Sequence, residues 1–268
     1  MNFIHLFPIA GLITAGCAFM LWRGAWHPPQ ISAKTLVKIL SFSMLITFYA
    51  MFRLEPITDW GFDFRLAAAI SFCVLIVQYI YVLGLMRHGI HGLGLFLLPA
   101  TAIPLLVIPL LSDDPILRVH VGSMMEASHL LLSLLAYAIL TLATLHAVMH
   151  LLLDHALKRK QIGRIVQAMP SLLEVETHMY AQVGTAALIL GLGILSGLIW
   201  QWEELGHFTL LSHKVVLATF SWVVLLALLG VRRKAGWQSR KAGWMVIAAY
   251  VLLLLAYFGV RMVQAILN

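Results

Sequence analysis

SHLLLSLLAYAILTLATLHAVMHLLLDHALKRK, residues 128–160, decides the fold. It is an apolar run long enough to cross a bilayer, for which about 20 residues suffice. It opens on a histidine, His129, and closes on the basic block Lys158, Arg159 and Lys160. Ser133, Tyr137 and Thr141 follow His129 at four-residue intervals. Four residues are slightly more than one helical turn, so these groups share a face. One side of a membrane helix is therefore polar and is headed by an imidazole.

The rest of the chain has the same character. Of its 268 residues, 62% are hydrophobic and 11% charged. A soluble domain carries about 25% charged residues, so lipid is the solvent implied here. The first apolar segment has no Ala-x-Ala-type cleavage site and no basic residue before it, which reads as a true span. Cys17 and Cys73 lie inside apolar segments and no C-x-x-C occurs. Thiol–disulfide exchange and covalent haem attachment to this chain therefore have no support. The net charge of +7 sits in short loops between spans, which argues against a nucleic-acid partner.

Eight apolar segments are long enough to span, near 3–22, 35–52, 66–86, 92–111, 127–152, 181–201, 213–231 and 243–264. They predict an all-α, polytopic helical bundle forming a single membrane domain. The loops after spans 1, 3, 5 and 7 hold thirteen of the eighteen basic residues. By the positive-inside rule that side is cytoplasmic, and both termini fall on the outer, periplasmic side. Span 4 contains Pro99, Pro104 and Pro109, which predicts a kinked or broken helix. Gly184, Gly191, Gly193 and Gly197 give span 6 a small-residue face suited to close helix packing. The polar, basic link from Asp154 to Pro170 reads as a segment lying on the inner membrane surface.

Twelve histidines are present. His129 and His213 stand out because both sit at the outer end of a span, and an ionisable group at membrane depth points to function. Two neutral imidazoles presented from rigid elements are what axial haem ligation requires. Lys214 follows His213 and could pair with a haem propionate, or with Glu203 or Glu204. Trp200, Trp202, Phe208 and Trp222 could wall an apolar macrocycle, though interfacial aromatic belts are the commoner use of such residues. On the inner side, His146 and His150 have the i, i+4 spacing of a metal clamp, with Asp154 as the nearby carboxylate. Polar helix packing is the favoured reading of that pair, ahead of an inner haem site or a metal clamp. The sequence contains no Ser-His-Asp constellation, P-loop or paired intramembrane carboxylates.

Five pieces, in order, resemble the cytochrome c assembly membrane proteins, the CcsA/CcmC/HemX superfamily, and most of all its short YpjD/HemX-like branch. They are HLLLSLLAYAILTLATLHAV (129–148), LILGLGILSGLIW (188–200), SHKVVLATFSW (212–222), GWQSRKAGW (236–244) and LLAYFGVRMV (254–263). The likeness covers roughly 115–268 and is weaker in the first four spans. It implies haem handling during cytochrome c maturation in a bacterial inner membrane, with His129 at the family's outer haem-ligand position.

Departures are visible too. The 200–214 link, WQWEELGHFTLLSHK, is too short for the Trp-rich external motif of larger members. Arg233 stands where they carry an inner histidine, and no outer histidine follows the last span. His213 is the candidate substitute for that outer ligand. The expectation is a protein that holds haem near the outer leaflet between spans 5 and 7 and presents it to a partner, without catalysing bond formation itself. Its cofactor-binding residues are His129, His213, Lys214, Tyr137 and Trp222. Its partners are membrane lipid and other maturation or membrane proteins. A haem-free scaffold or regulatory subunit on the same fold is the alternative, and a small-molecule or ion transporter ranks third.

Overall fold

Apolar runs flanked by hydroxyl and carboxylate side chains fold into capped helices. Ser171 accepts the Glu174 backbone N–H at 3.3 Å, and the Glu174 carboxylate accepts the Ser171 N–H at 3.0 Å. This reciprocal box starts a helix by satisfying two free donors. Ser123 and Glu126 do similar work upstream: the Glu126 N–H reaches the Ser123 hydroxyl at 3.1 Å, and Glu126 accepts from the Gly122 N–H. Ser32 accepts the Thr35 N–H in the same manner.

The computed structural model describes residues 3–27, 31–54, 57–58, 61–88, 91–111, 118–160, 163–209, 211–232 and 239–256. Its helices are α1 (Leu6–Trp26), α2 (Ala33–Leu54), α3 (Leu66–His88), α4 (Gly94–Leu111), α5 (Met124–Lys158), α6 (Arg164–Gln167), α7 (Leu172–Leu205), α8 (His213–Arg232) and α9 (Ser239–Leu254). A 3-10 turn at Phe3–His5 precedes α1. Among the described residues six helices are long and apolar enough to cross a membrane: those of Phe3–Trp26, Ala33–Leu54, Leu66–Arg87, Met124–Lys158, Leu172–Glu204 and His213–Arg232. The fourth expected span is the shorter apolar helix α4. The eighth begins as α9, and its expected last residues, 257–264, lie outside the described residues.

The expected helical architecture holds, with helices carrying the core. Strands β1 (Ile57–Thr58), β2 (Gly61–Arg65) and β3 (Arg118–Val121) form a small sheet in the order β1-β2-β3, with β1 antiparallel to β2. These strands occupy links between helices, and β2 and β3 carry a short period-2 alternation, with Phe62 and Phe64 in one and Val119 and Val121 in the other. The Asp154–Pro170 link is partly helical. Helix α5 runs through it to Lys158, α6 occupies Arg164–Gln167, and α7 starts at Leu172. At about 1.5 Å per residue, the 35 residues of α5 reach about 52 Å. That exceeds the roughly 30 Å hydrocarbon core, so α5 projects well beyond it.

The chain divides into two compact units, Met1–Val119 with Leu152–Glu174, and His120–Leu151 with Val175–Asn268. In the first, α1 packs on α2 and α4, and α3 packs on α2 and α4. Phe7, Ala10, Ala50, Leu105 and Ile108 are buried between them. Helix α4 passes unbroken through Pro99, Pro104 and Pro109. A proline at 99 cannot donate to the Leu95 carbonyl four residues earlier. The Trp22 indole N–H of α1 bonds that oxygen instead, at 3.0 Å. The expected kink or break is thus answered by a neighbouring helix that satisfies the freed group.

In the second unit α5, α7, α8 and α9 share one core, with Leu140, Ala147, Met179, Leu225, Val246 and Ala249 buried together. Ser221 of α8 donates to the Ala249 carbonyl of α9 at 2.8 Å.

Candidate functional site

The polar face of α5 splits between two neighbours. Tyr137 donates its hydroxyl to the Leu253 carbonyl of α9. Thr141 bonds back to the Tyr137 carbonyl at 2.8 Å and to the Tyr250 hydroxyl at 3.0 Å. These groups hold α5 against α9. His129, at the head of the face, turns to α7.

The His129 contact is close and specific. Its Nδ1 lies 2.8 Å from the Gly193 carbonyl oxygen. A carbonyl only accepts, so Nδ1 carries the proton and Nε2 keeps its lone pair. The Ser196 hydroxyl donates to the same carbonyl at 2.9 Å and sits 3.4 Å from Nδ1. Gly197 forms the floor beneath the ring: a Cβ there would fall 2.6 Å from His129 Cε1. Only glycine lets the imidazole pack this near the α7 backbone. The result is a half-buried histidine of fixed tautomer and fixed plane. That is the arrangement a metal-ligating imidazole takes when its second nitrogen is anchored on a backbone carbonyl.

The other expected residues have different surroundings. Trp222 donates its indole N–H to the Ala187 carbonyl at 2.8 Å and covers Gly191, where a Cβ would fall 2.9 Å from Nε1. Its polar atom is thus spent on joining α8 to α7. His213 and Lys214 are exposed in the first turn of α8. No hydrogen bond joins His213 to His129 among the described residues. Trp202 stacks on Phe208 with ring centroids 5.2 Å apart, and Gln201 accepts from both the Thr209 N–H and hydroxyl. Those contacts shape the turn after α7.

The inner histidines take up helix-packing contacts rather than forming a clamp. His146 Nδ1 is bonded to the Leu142 carbonyl at 2.9 Å, and its ring faces His178 of α7 at 5.9 Å between centroids. His150 instead lies 3.9 Å from Glu176. Asp154 is taken by Lys158 at 2.9 Å. Among the described residues no group of three or more His, Cys, Asp or Glu could hold a metal ion. Spacing along α5 set the two imidazoles one turn apart, but the partners on α7 separate their roles. Arg233 lies outside the described residues.

Sequence reasoning missed the partners of His129. Gly193, Ser196 and Gly197 stand at i, i+3 and i+4 on α7, which places them on one face. The small-residue pattern was visible there, but the imidazole it accommodates was not.

Residues 32–268 match the profile of the cytochrome C assembly protein family. The inner membrane protein YpjD of Escherichia coli K12 is 32% identical over 169 residues, covering 63% of this chain and 60% of that protein. An uncharacterized 28.8 kDa protein of Azospirillum brasilense, encoded in a nifR3-like 5' region, is 32% identical over 139 residues, 52% of this chain and 51% of that one. The cytochrome c biogenesis protein CcsA of Prochlorococcus marinus NATL1A is 28% identical over 89 residues, 33% of this chain and 28% of that one. The chain thus spans about half to three fifths of the length of the first two relatives and less of the third. The family match covers most of the sequence, including the whole of the His129 helix and its α7 partner, and the chain belongs to the cytochrome C assembly protein family.

Proposed function

We propose that this chain is a multi-pass protein of a bacterial inner membrane that holds haem near the outer leaflet during cytochrome c biogenesis and presents it to a partner. Membership of the cytochrome C assembly family supports a role in that process. The likeness to YpjD, named as an inner membrane protein, supports the location. The single observation that carries the haem reading is the Nδ1–Gly193 hydrogen bond of His129.

Haem would supply an iron that accepts imidazole nitrogen as an axial ligand. The residues present fit that role at one position. His129 offers Nε2 as a lone pair, because Gly193 holds its other nitrogen protonated. Ser196 polarises the same carbonyl and Gly197 fixes the ring plane. His213 is the proposed second ligand and Lys214 the proposed propionate partner. Tyr137 and Trp222 act as positioning residues, fixing α5 and α8 through backbone carbonyls. The proposed topology has eight spans with both termini outside, in accord with the basic loops.

The test is an absorption spectrum of the detergent-purified protein, oxidised and reduced, after expression with haem available. A Soret band with sharpened reduced bands, lost in His129→Ala, is the expected result. A folded protein with no band, or a band indifferent to His129→Ala, overturns the reading. A haem-free scaffold would then be the better account, and the engagement of Tyr137 and Trp222 in helix packing already suits it.

A further inference from the structure

The two ends of the first unit differ sharply in charge. At one end α1 and α3 finish, α2 and α4 begin, and the Leu152–Glu174 segment joins them. That end carries eight Lys or Arg residues against two carboxylates, Asp154 and Glu174. The opposite end, with the 55–65 and 112–118 links, carries three against five. Both carboxylates of the basic end are engaged: Asp154 by Lys158 at 2.9 Å, and Glu174 by the Ser171 N–H at 3.0 Å. Helix stability does not account for all the cations. Lys34 and Lys38 lie in the first two turns of α2, whose first turn holds no acidic residue. Positive charge there opposes the helix dipole.

The centre of this basic end is tied together. The Arg164 guanidinium donates to the Trp26 carbonyl at 2.6 Å, which joins α6 to the end of α1. Arg23 stands three residues before Trp26, and both are exposed. Residues 168–170 lie against Gly92, where a Cβ would fall 2.5 Å from the Ala168 carbonyl oxygen, so the same segment also seats on the turn before α4. At about 3.3–3.6 Å per residue, Lys160 stands within about 14 Å of Arg164. Among the described residues Lys160 is the one non-glycine with positive φ, 54°. Its N–H bonds the Leu157 carbonyl at 3.1 Å, closing α5 with a left-handed residue. Glycine would close the helix with less strain, yet an ammonium is kept there. Exposed apolar side chains are interleaved with the charges: Trp26 at 47%, Leu157 at 44% and Leu173 at 74%.

We propose that this end of the first unit is a docking surface for anionic phospholipid headgroups, with Arg159, Lys160 and Arg164 as its main contacts. A guanidinium carries five N–H donors and the Trp26 bond uses one, so Arg164 keeps donors for phosphate oxygens. The excess of cations selects anionic over zwitterionic lipid. The interleaved indole and leucines select lipid over a soluble polyanion, because the headgroup region accepts charged and apolar side chains side by side. The position fits, since the apolar helices α1, α2 and α3 each have an end here. Bound haem plays no part in this contact.

Native mass spectrometry of the detergent-purified full chain, titrated with phosphatidylglycerol or phosphatidylcholine, tests this. A cation beside an anionic lipid surface contributes about 1 kcal/mol, a factor of about five in affinity. Phosphatidylglycerol should therefore bind tighter than phosphatidylcholine by about fivefold or more. Arg159→Gln combined with Lys160→Gly should weaken phosphatidylglycerol binding by about 5- to 25-fold. That variant should unfold no more readily than the unaltered chain, because glycine accepts the positive φ. Arg240→Gln combined with Lys241→Gln removes two exposed cations from the start of α9 and should leave phosphatidylglycerol binding unchanged. Equal binding of the two lipids overturns the proposal. An equal loss in both double variants overturns it as well, by reducing the preference to overall charge. A poly-glutamate peptide that binds the same residues more tightly than the lipid would assign the surface to an acidic protein and overturn it too.

Discussion

Replacing Gly197 with Ala probes the floor of the candidate site directly. The added methyl would stand 2.6 Å from Cε1 and 2.8 Å from Nδ1 of His129. Non-bonded carbons settle at about 3.5–4.0 Å, so the ring must retreat by roughly 1 Å. The Nδ1–Gly193 bond, now 2.8 Å, then passes the distance at which a hydrogen bond counts. Losing an interhelical hydrogen bond in a membrane protein costs about 0.6 kcal/mol and up to about 1.7. Overpacking adds about 1–3 kcal/mol. The expected destabilisation is therefore about 2–4 kcal/mol, with lowered haem occupancy. Unfolding of the detergent-purified protein, followed by circular dichroism, measures it. Gly184→Ala is the control, since its Cβ would meet open space. It should be neutral or stabilising by about 0.5–1 kcal/mol. In a His129→Ala background the obstacle is gone, so Gly197→Ala should cost far less, with a coupling energy of about 1–3 kcal/mol. Equal costs in both backgrounds would refute the packing of His129 on α7 as the cause.

Two further outcomes follow from the helix contacts. Trp22→Phe removes the donor that serves Leu95 beside Pro99 and should cost about 1–3 kcal/mol. In a Pro99→Ala background, where residue 99 regains its N–H, the same substitution should cost less by about 1 kcal/mol, read by the same unfolding measurement. Tyr137→Phe and Trp222→Phe should each lower stability by about 0.5–1.5 kcal/mol, because each deletes one bond to a backbone carbonyl. In the folded fraction, the absorption of bound haem should stay as it was; its selective loss would place these side chains at the cofactor.

Much of the helical layout was legible because each signal is local. Apolar runs gave α1, α2, α3 and α8 nearly at their observed positions. Boundaries failed where a helix outgrows its apolar run. The polar ends of α5 and α7 are helical because Glu126 and Glu174 complete caps and the helices continue beyond the hydrophobic stretch. The small sheet was missed although Gly61–Arg65 and Arg118–Val121 alternate, because such brief patterns are outweighed by the long apolar runs beside them.

Within the candidate site, His129 was legible because a histidine at the head of an apolar run is conspicuous. Its tautomer was not, because the deciding carbonyl lies 64 residues away in the chain. The same holds for Trp222, whose indole looked available for a ligand and is bound to Ala187. Gln78 was a single polar residue in a long span until Thr14 of α1 and Thr101 of α4 placed hydroxyls beside its amide.

The sequence by itself determined that the chain is a membrane-crossing, largely helical protein, and which face of α5 is polar. Those properties depend on composition and on the 3.6-residue period, which need no second element to be read. The tertiary structure decided which polar groups remain to act. Gly193 fixes the free nitrogen of His129, the Leu142 carbonyl takes His146 while Glu176 lies beside His150, and two threonines accept from Gln78. Hydrogen-bond capacity is a property of each side chain, but what is left of it after folding depends on the partners that packing brings within about 3 Å.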